Sequence, residues 1–165
     1  MAGDYTDRVL EEWQMVRPDI DASGTGLVGR ILRLARYLEP ELNEVATKYG
    51  LSAKGDFDTL AALRRHPPLH ELSPTQLAEA ALITPGGMTS RLDRLEDGGY
   101  VERHADPRDR RALLVRLTNE GKRIVDNVLD SNIASQQHLL EALDRRDRAT
   151  LARLLRRLLV HLGDE

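Results

Sequence analysis

Apolar residues recur every three or four positions through most of this chain, and that spacing predicts helices. Tyr5, Val9, Trp13 and Val16 define the apolar face of a first helix over Asp4 to Arg17, ended by Pro18. After a Gly/Ser/Asp connection from Asp19 to Gly26, Leu27, Ile31, Leu34, Leu38, Leu42 and Val45 form one stripe of a long helix reaching Tyr49. Pro40 inside it predicts a kink or a break, and Gly50 is its natural end. A shorter helix spans Phe57 to Arg65 and is closed by His66-Pro67-Pro68. Asp58 then lies in its first turn, where a carboxylate favours the helix dipole.

The most informative stretch runs from Ser73 to Thr118. Ser73-Pro74 starts a helix, since Ser accepts from an otherwise unpaired amide and Pro fits the first helical position; Gln76 completes a capping box. Thr84-Pro85 repeats the start signal, so the first helix ends near Leu82. A second runs to Asp97 and stops at Gly98-Gly99. Two helices so joined make a helix-turn-helix. Tyr100 to His104 and Ala112 to Leu117 read as two short strands, with Leu113, Val115 and Leu117 forming the apolar face of the second. The connecting loop, Ala105 to Arg111, is rich in arginine. Thr118 caps another helix reaching about Ala142. A last one from about Arg146 carries Leu151, Leu154, Leu155, Leu158, Leu159 and Leu162, a stripe broad enough to imply a partner chain. The fold class is mainly α: a winged helix-turn-helix with a small β-hairpin wing, flanked by N- and C-terminal helices. The expected divisions are 1–49, 50–117 and 118–165.

At 165 residues, 41% of them hydrophobic, the chain can bury an ordinary core. It has no cysteine, hence no disulfide or thiolate metal site. With neither a membrane-length apolar run nor a signal-like start, a cytoplasmic protein without membrane attachment is expected. The net charge of −3 argues against indiscriminate nucleic-acid binding, but local charge decides affinity. Arg103 to Arg116 contains five arginines and two aspartates. The ratio of 21 arginines to 3 lysines over the whole chain is read as biased base composition. His66 and His70 are separated by two prolines and cannot pair on a helix; no metal or cofactor is expected. No nucleophile triad, phosphate loop or carboxylate pair points to an enzyme.

On a helical wheel at about 100° per residue, Met88, Leu92 and Leu95 face the core. Gly86, Ser90 and Asp93 lie opposite, with Gly87 and Arg94 beside them and Thr89 on the other flank. With Thr84 at the cap, this face can approach base edges and phosphates of double-stranded DNA. Asp93 is a poor phosphate neighbour and is placed off the contact line. Arg108, Arg110 and Arg111 can reach a phosphate or the minor groove, with Asp106 and Asp109 orienting them. Arg91 lies about 60° from the core centre, and so is expected to be half-buried and to need an anionic partner. That partner is a carboxylate such as Glu96 or Asp58, or a ligand. Arg103 at the wing base poses the same question.

The segments TPGGMTSRLDRLEDGGYVER and DPRDRRALLVRLTNEG resemble the MarR family of bacterial transcriptional regulators. The resemblance implies a homodimer built from the terminal helices and bound to a pseudo-palindromic operator, with Arg110 at the wing-tip position of the family's D-x-R pattern. FDTLAALRR and GGMTSRLDRLE further resemble the family's urate-responsive branch, which adds an N-terminal helix. That likeness implies that Trp13, Asp58, Arg91 and Arg103 bind a small anionic effector, with Asp58 paired to one of the arginines when no effector is present. On spacing alone Trp13 is a packing residue. A different anion or a phenolic compound, or a winged-helix module for protein–protein contact, are the alternatives.

Overall fold

The computed structural model describes residues 3–107, 109 and 112–163. The described chain forms two compact units, with the boundary between Asp58 and Thr59.

In the first unit, α1 (Tyr5–Val16) is started by a reciprocal capping box: Asp4 accepts from the Asp7 amide and Asp7 from the Asp4 amide. Helix α2 (Ser23–Lys48) begins earlier than its glycines suggested, because the Asp21 carboxylate takes up the Ser23 amide and the backbone is already helical there. Gly26, expected in the connection, is instead a packing residue inside the helix, and Gly29 lies on the same face one turn on. A side chain at Gly26 would meet Leu10 at 2.9 Å, and one at Gly29 would meet Thr6 at 3.5 Å. Arg30 clamps the same junction by pairing with Asp4 at 2.8 Å and with Asp7. The helix runs through Pro40 without the break that residue could impose; the ring removes one i→i−4 bond, and the turns on either side hold. Val45, Ala46, Leu51 and Phe57 are buried.

Helix α3 (Lys54–Arg64) starts three residues earlier than expected. Its first-turn carboxylate is therefore Asp56, which is buried and accepts from the Ser52 amide at 3.1 Å. Asp58 sits past that turn and pairs with Lys54 one turn back. The dipole role expected of Asp58 belongs to Asp56.

The second unit is the winged core. Helices α4 (Pro74–Ala80) and α5 (Pro85–Asp97) have the caps read from the sequence: Ser73 with Gln76, and Thr84. Leu82 in the turn between them has φ 51° and is 90% exposed, a left-handed conformation that usually selects glycine. Gly99, at φ 72°, fills the corresponding place after α5. Strands β2 (Val101–Ala105) and β3 (Leu113–Leu117) form the wing hairpin. Beside β3 lies β1 (Glu71–Leu72), giving an antiparallel sheet of order β1-β3-β2. Two residues are too few to show a period, so β1 left no pattern to read.

Val101, Val115, Leu117 and Leu72 point inward and are buried. Leu113 shares their face through its pairing with Ala105, yet is 50% exposed because the hairpin extends past the core. On the outer face Arg116 bridges Glu102 at 2.6 Å and Glu71 at 3.4 Å, tying all three strands together. α4 packs on α5, α5 on β2, and α6 (Asn119–Leu139) on β3. Helix α6 ends short of Ala142, because Arg148 draws the Leu140 and Leu143 carbonyls into a turn. Asp144 then caps α7 (Arg145–His161). Among the described residues no helix is long and apolar enough to cross a membrane.

The start of α6 is pressed onto the start of β2. Thr118 donates from its hydroxyl to the Gly99 carbonyl at 2.7 Å and caps Gly121 at 3.0 Å. A Cβ on Gly121 would lie 2.0 Å from the Tyr100 carbonyl oxygen. Backbone cannot yield as a side-chain tip can, so Gly121→Ala is expected to destabilise the protein by about 2 kcal/mol or more. Urea unfolding followed by circular dichroism measures it, and a loss under about 0.5 kcal/mol would show that the junction is loose.

Candidate nucleic-acid interface and effector residues

Helix α5 presents two faces because only one can be buried. Met88, Leu92 and Leu95 are at most 1% exposed, which fixes the rotation of the helix about its axis. Gly86, Gly87, Thr89, Ser90, Asp93 and Arg94 are consequently exposed. Thr84 accepts from the Gly87 amide at 3.2 Å, and Thr89 donates to the Pro85 carbonyl at 3.0 Å. Arg94 reaches back to the Ser90 carbonyl at 3.2 Å. The first turn is thus held in shape and carries only small side chains, so a phosphate or base edge can come close to its amides.

The wing arginines Arg108, Arg110 and Arg111 lie outside the described residues. The hairpin around them is closed by backbone bonds from Asp106 to Ala112 and from Ala112 to Asp109, each 2.9 Å.

Of the four expected effector residues, Trp13 and Asp58 belong to the first unit and Arg91 and Arg103 to the second. Trp13 lies on α1 and is 45% exposed, so it is not a fully packed core residue. Arg91 is half-buried, and its Nη1 donates to the Thr59 hydroxyl at 3.3 Å. Thr59 itself is 1% exposed, so this guanidinium is anchored on α3.

Glu96, one of the carboxylates expected to partner Arg91, is engaged with Arg103. Arg103 pairs with β3 residue Val115, which puts its side chain on the inward face of the wing. There it meets α5: Nη1 lies 3.1 Å from Glu96 Oε2, and Nη2 donates to Asp93 Oδ1 at 2.7 Å. The Arg103 amide also donates to Glu96 Oε1 at 3.1 Å. Asp93, placed off the contact line as a poor phosphate neighbour, is therefore one of two acids in an ion-pair cluster with Arg103. Strand alternation could have disclosed this, since Arg103 follows Val101 by two positions.

A short helix, a turn, a core-anchored helix with a small polar outer face, and a hairpin wing define a winged helix-turn-helix protein. Residues 49–112 match the MarR family model. The HTH-type transcriptional regulator PecS of Dickeya dadantii (strain 3937) is 33% identical over 154 residues, covering 93% of this chain and 92% of PecS. The chain belongs to the MarR family of transcriptional regulators. The HTH-type transcriptional repressor YetL of Bacillus subtilis (strain 168) is 26% identical over 137 residues, or 83% of this chain and 81% of YetL. Among solved structures, a mutant MarR from E. coli complexed with operator DNA superposes with a TM-score of 0.71. It is 26% identical, covering 89% of this chain and 97% of that one.

The Thr84 cap positions the amides at the start of α5. Thr84→Ala is expected to cost about 1 kcal/mol of stability, within a range of roughly 0.5–2, while Thr84→Ser retains most of it. Denaturant midpoints of the two variants, compared with wild type, check this; equal midpoints would show that the cap is idle.

Proposed function

We propose that this protein is a homodimeric repressor that reads a pseudo-palindromic operator and releases it on binding a small anion such as urate. The observation that carries the DNA reading is the outer face of α5. Thr84, Gly86, Thr89, Ser90 and Arg94 approach the major groove, and Arg108, Arg110 and Arg111 of the wing approach phosphates or the minor groove. The operator complex of the similar MarR structure supports it, and the name of YetL as a repressor supports the sign of regulation.

Dimerisation is supported by α7, whose Leu151, Leu154, Leu155, Leu158 and Leu159 are 38–52% exposed in the single chain. A helix carrying that much apolar surface on one stripe calls for cover. A two-fold dimer sets two recognition helices about 34 Å apart, one turn of DNA. Footprinting should therefore show one compact symmetric site. Affinity should fall steeply with salt. Arg110→Ala should lower both the affinity and the salt slope, the latter by about 0.9 for each phosphate that the variant no longer neutralises. An unchanged slope after replacing all three wing arginines would favour a protein-binding module instead.

The effector reading rests on Trp13, Asp58, Arg91 and Arg103, with the two guanidiniums holding the negative charge of the ligand and the indole bordering its ring. Arg91 is anchored to Thr59 and lies on α5, so a ligand that draws on it acts directly on the DNA-reading helix. Such a ligand needs only to favour the DNA-incompetent state by about 1–3 kcal/mol to weaken binding 5–150-fold. Urate titrated into the operator complex should release DNA from wild type and quench Trp13 fluorescence. It should lose much of its effect on Arg91→Ala or Asp58→Asn. A full response in both variants with DNA binding intact would sink this assignment.

A further inference from the structure

Asp93 poses a problem that the DNA reading leaves open. It stands on the exposed face of α5, three residues from Ser90 and four from Thr89. A bare carboxylate there would repel the phosphates that this face must approach, and Glu96 one turn further adds a second negative charge. The structure supplies the countercharge from the wing. One Arg103 guanidinium is shared between the two carboxylates, 2.7 Å from Asp93 Oδ1 and 3.1 Å from Glu96 Oε2. Its side chain is 24% exposed, against 54% for Asp93 and 39% for Glu96. The cation is thus the sheltered member and the acids the outer ones. Nη2 also lies 3.5 Å from the Thr89 carbonyl, so the same group reaches the middle of the recognition helix.

We infer that Arg103 is a charge mask for the DNA-reading helix: shared between Asp93 and Glu96, it offsets one of their two negative charges and holds both carboxylates so that α5 can enter the groove, and it ties the wing strand to that helix. Asp93 and Glu96 are positioning residues, acting through Arg103 rather than by touching DNA. The cluster has two acids and one base, so it has no spare positive charge. Any anion that takes up Arg103 therefore turns loose at least one carboxylate facing the duplex. This last step rests on the effector role proposed for Arg103; the mask itself does not. It gives a small ligand leverage over DNA affinity through unmasked charge, with no large movement of the helix.

A mutant cycle on operator binding at about 0.15 M salt, with no effector present, tests the mask. Arg103→Ala should weaken binding about tenfold or more, because one cation is lost and two anions are exposed together. In the background Asp93→Asn with Glu96→Gln the same Arg103→Ala change should cost no more than about threefold, since there is nothing left to mask. If Arg103 instead touched phosphate directly, the loss would be equal in both backgrounds, and that result would overturn the proposal. Thermal melts of all four proteins show whether each is folded at the assay temperature. Should the double background fail to fold, Asp93→Asn alone carries the same cycle, because Asp93 is the more exposed acid. A separate arm adds urate. A wild-type response that disappears in the Asp93→Asn, Glu96→Gln protein supports the unmasking step; a response of equal size there overturns it. If urate acts on none of the proteins, the effector assignment fails while the effector-free cycle still decides the mask.

Discussion

Burial of Met88, Leu92 and Leu95 is the constraint on which the rest of the winged unit depends. Three large side chains on one stripe leave α5 a single rotation about its axis, and everything that the helix can offer outward follows from it. Gly86, Ser90 and Asp93 are outward because they lie opposite. The small residues at the N-terminus matter only because this rotation aims them away from the core. The wing meets the same core from the other side: β2 packs on α5 and β3 on α4, with Val101 and Val115 buried.

The alternation that buries Val101 also turns Arg103 inward, where a hydrophobic residue would ordinarily sit. A cation in that place is tolerable because α5 delivers two carboxylates to it. The stability of the wing base and the electrostatics of the DNA-reading face are therefore two properties of one cluster. Arg116 shows the contrasting case on the outer face, where Glu102 raises its pKa, mainly through the side-chain hydrogen bond. There the ion pairs staple strands together at the solvent boundary, where such pairs contribute little stability each.

Local rules were enough to read the helix-turn-helix, because caps and glycine stops are written within four residues of where they act. Ser73-Pro74, Thr84-Pro85 and Gly98-Gly99 each mark an end that the structure keeps. The wheel of α5 likewise needed only its own residues. What escaped was decided at a distance. Asp56 and Asp58 are equivalent as composition, and only the true start of α3 tells which one lies in the first turn. Gly26 reads as a loop residue until Leu10 is brought against it. The two-residue β1 exists because β3 offers it an edge, and nothing in Glu71-Leu72 announces a strand. The partners of Arg91 and Arg103 were open for the same reason: a wheel shows where a side chain points but not what stands there.

The α1–α2 junction has a consequence for the order of events during synthesis. The Asp4–Asp7 capping box is made by residues of the helix's own start, so α1 has its start signal before any of α2 is made. A helix of 12 residues is nonetheless marginal by itself in water, and what holds this one lies further along the chain. Leu10 docks against Gly26, Thr6 against Gly29, and the two capping acids against Arg30. Helix α1 must therefore wait, capped but unsupported, until the first two turns of α2 have been made. Over that interval its tyrosine and tryptophan lack their later neighbours, while the same acids that begin the helix keep its start charged.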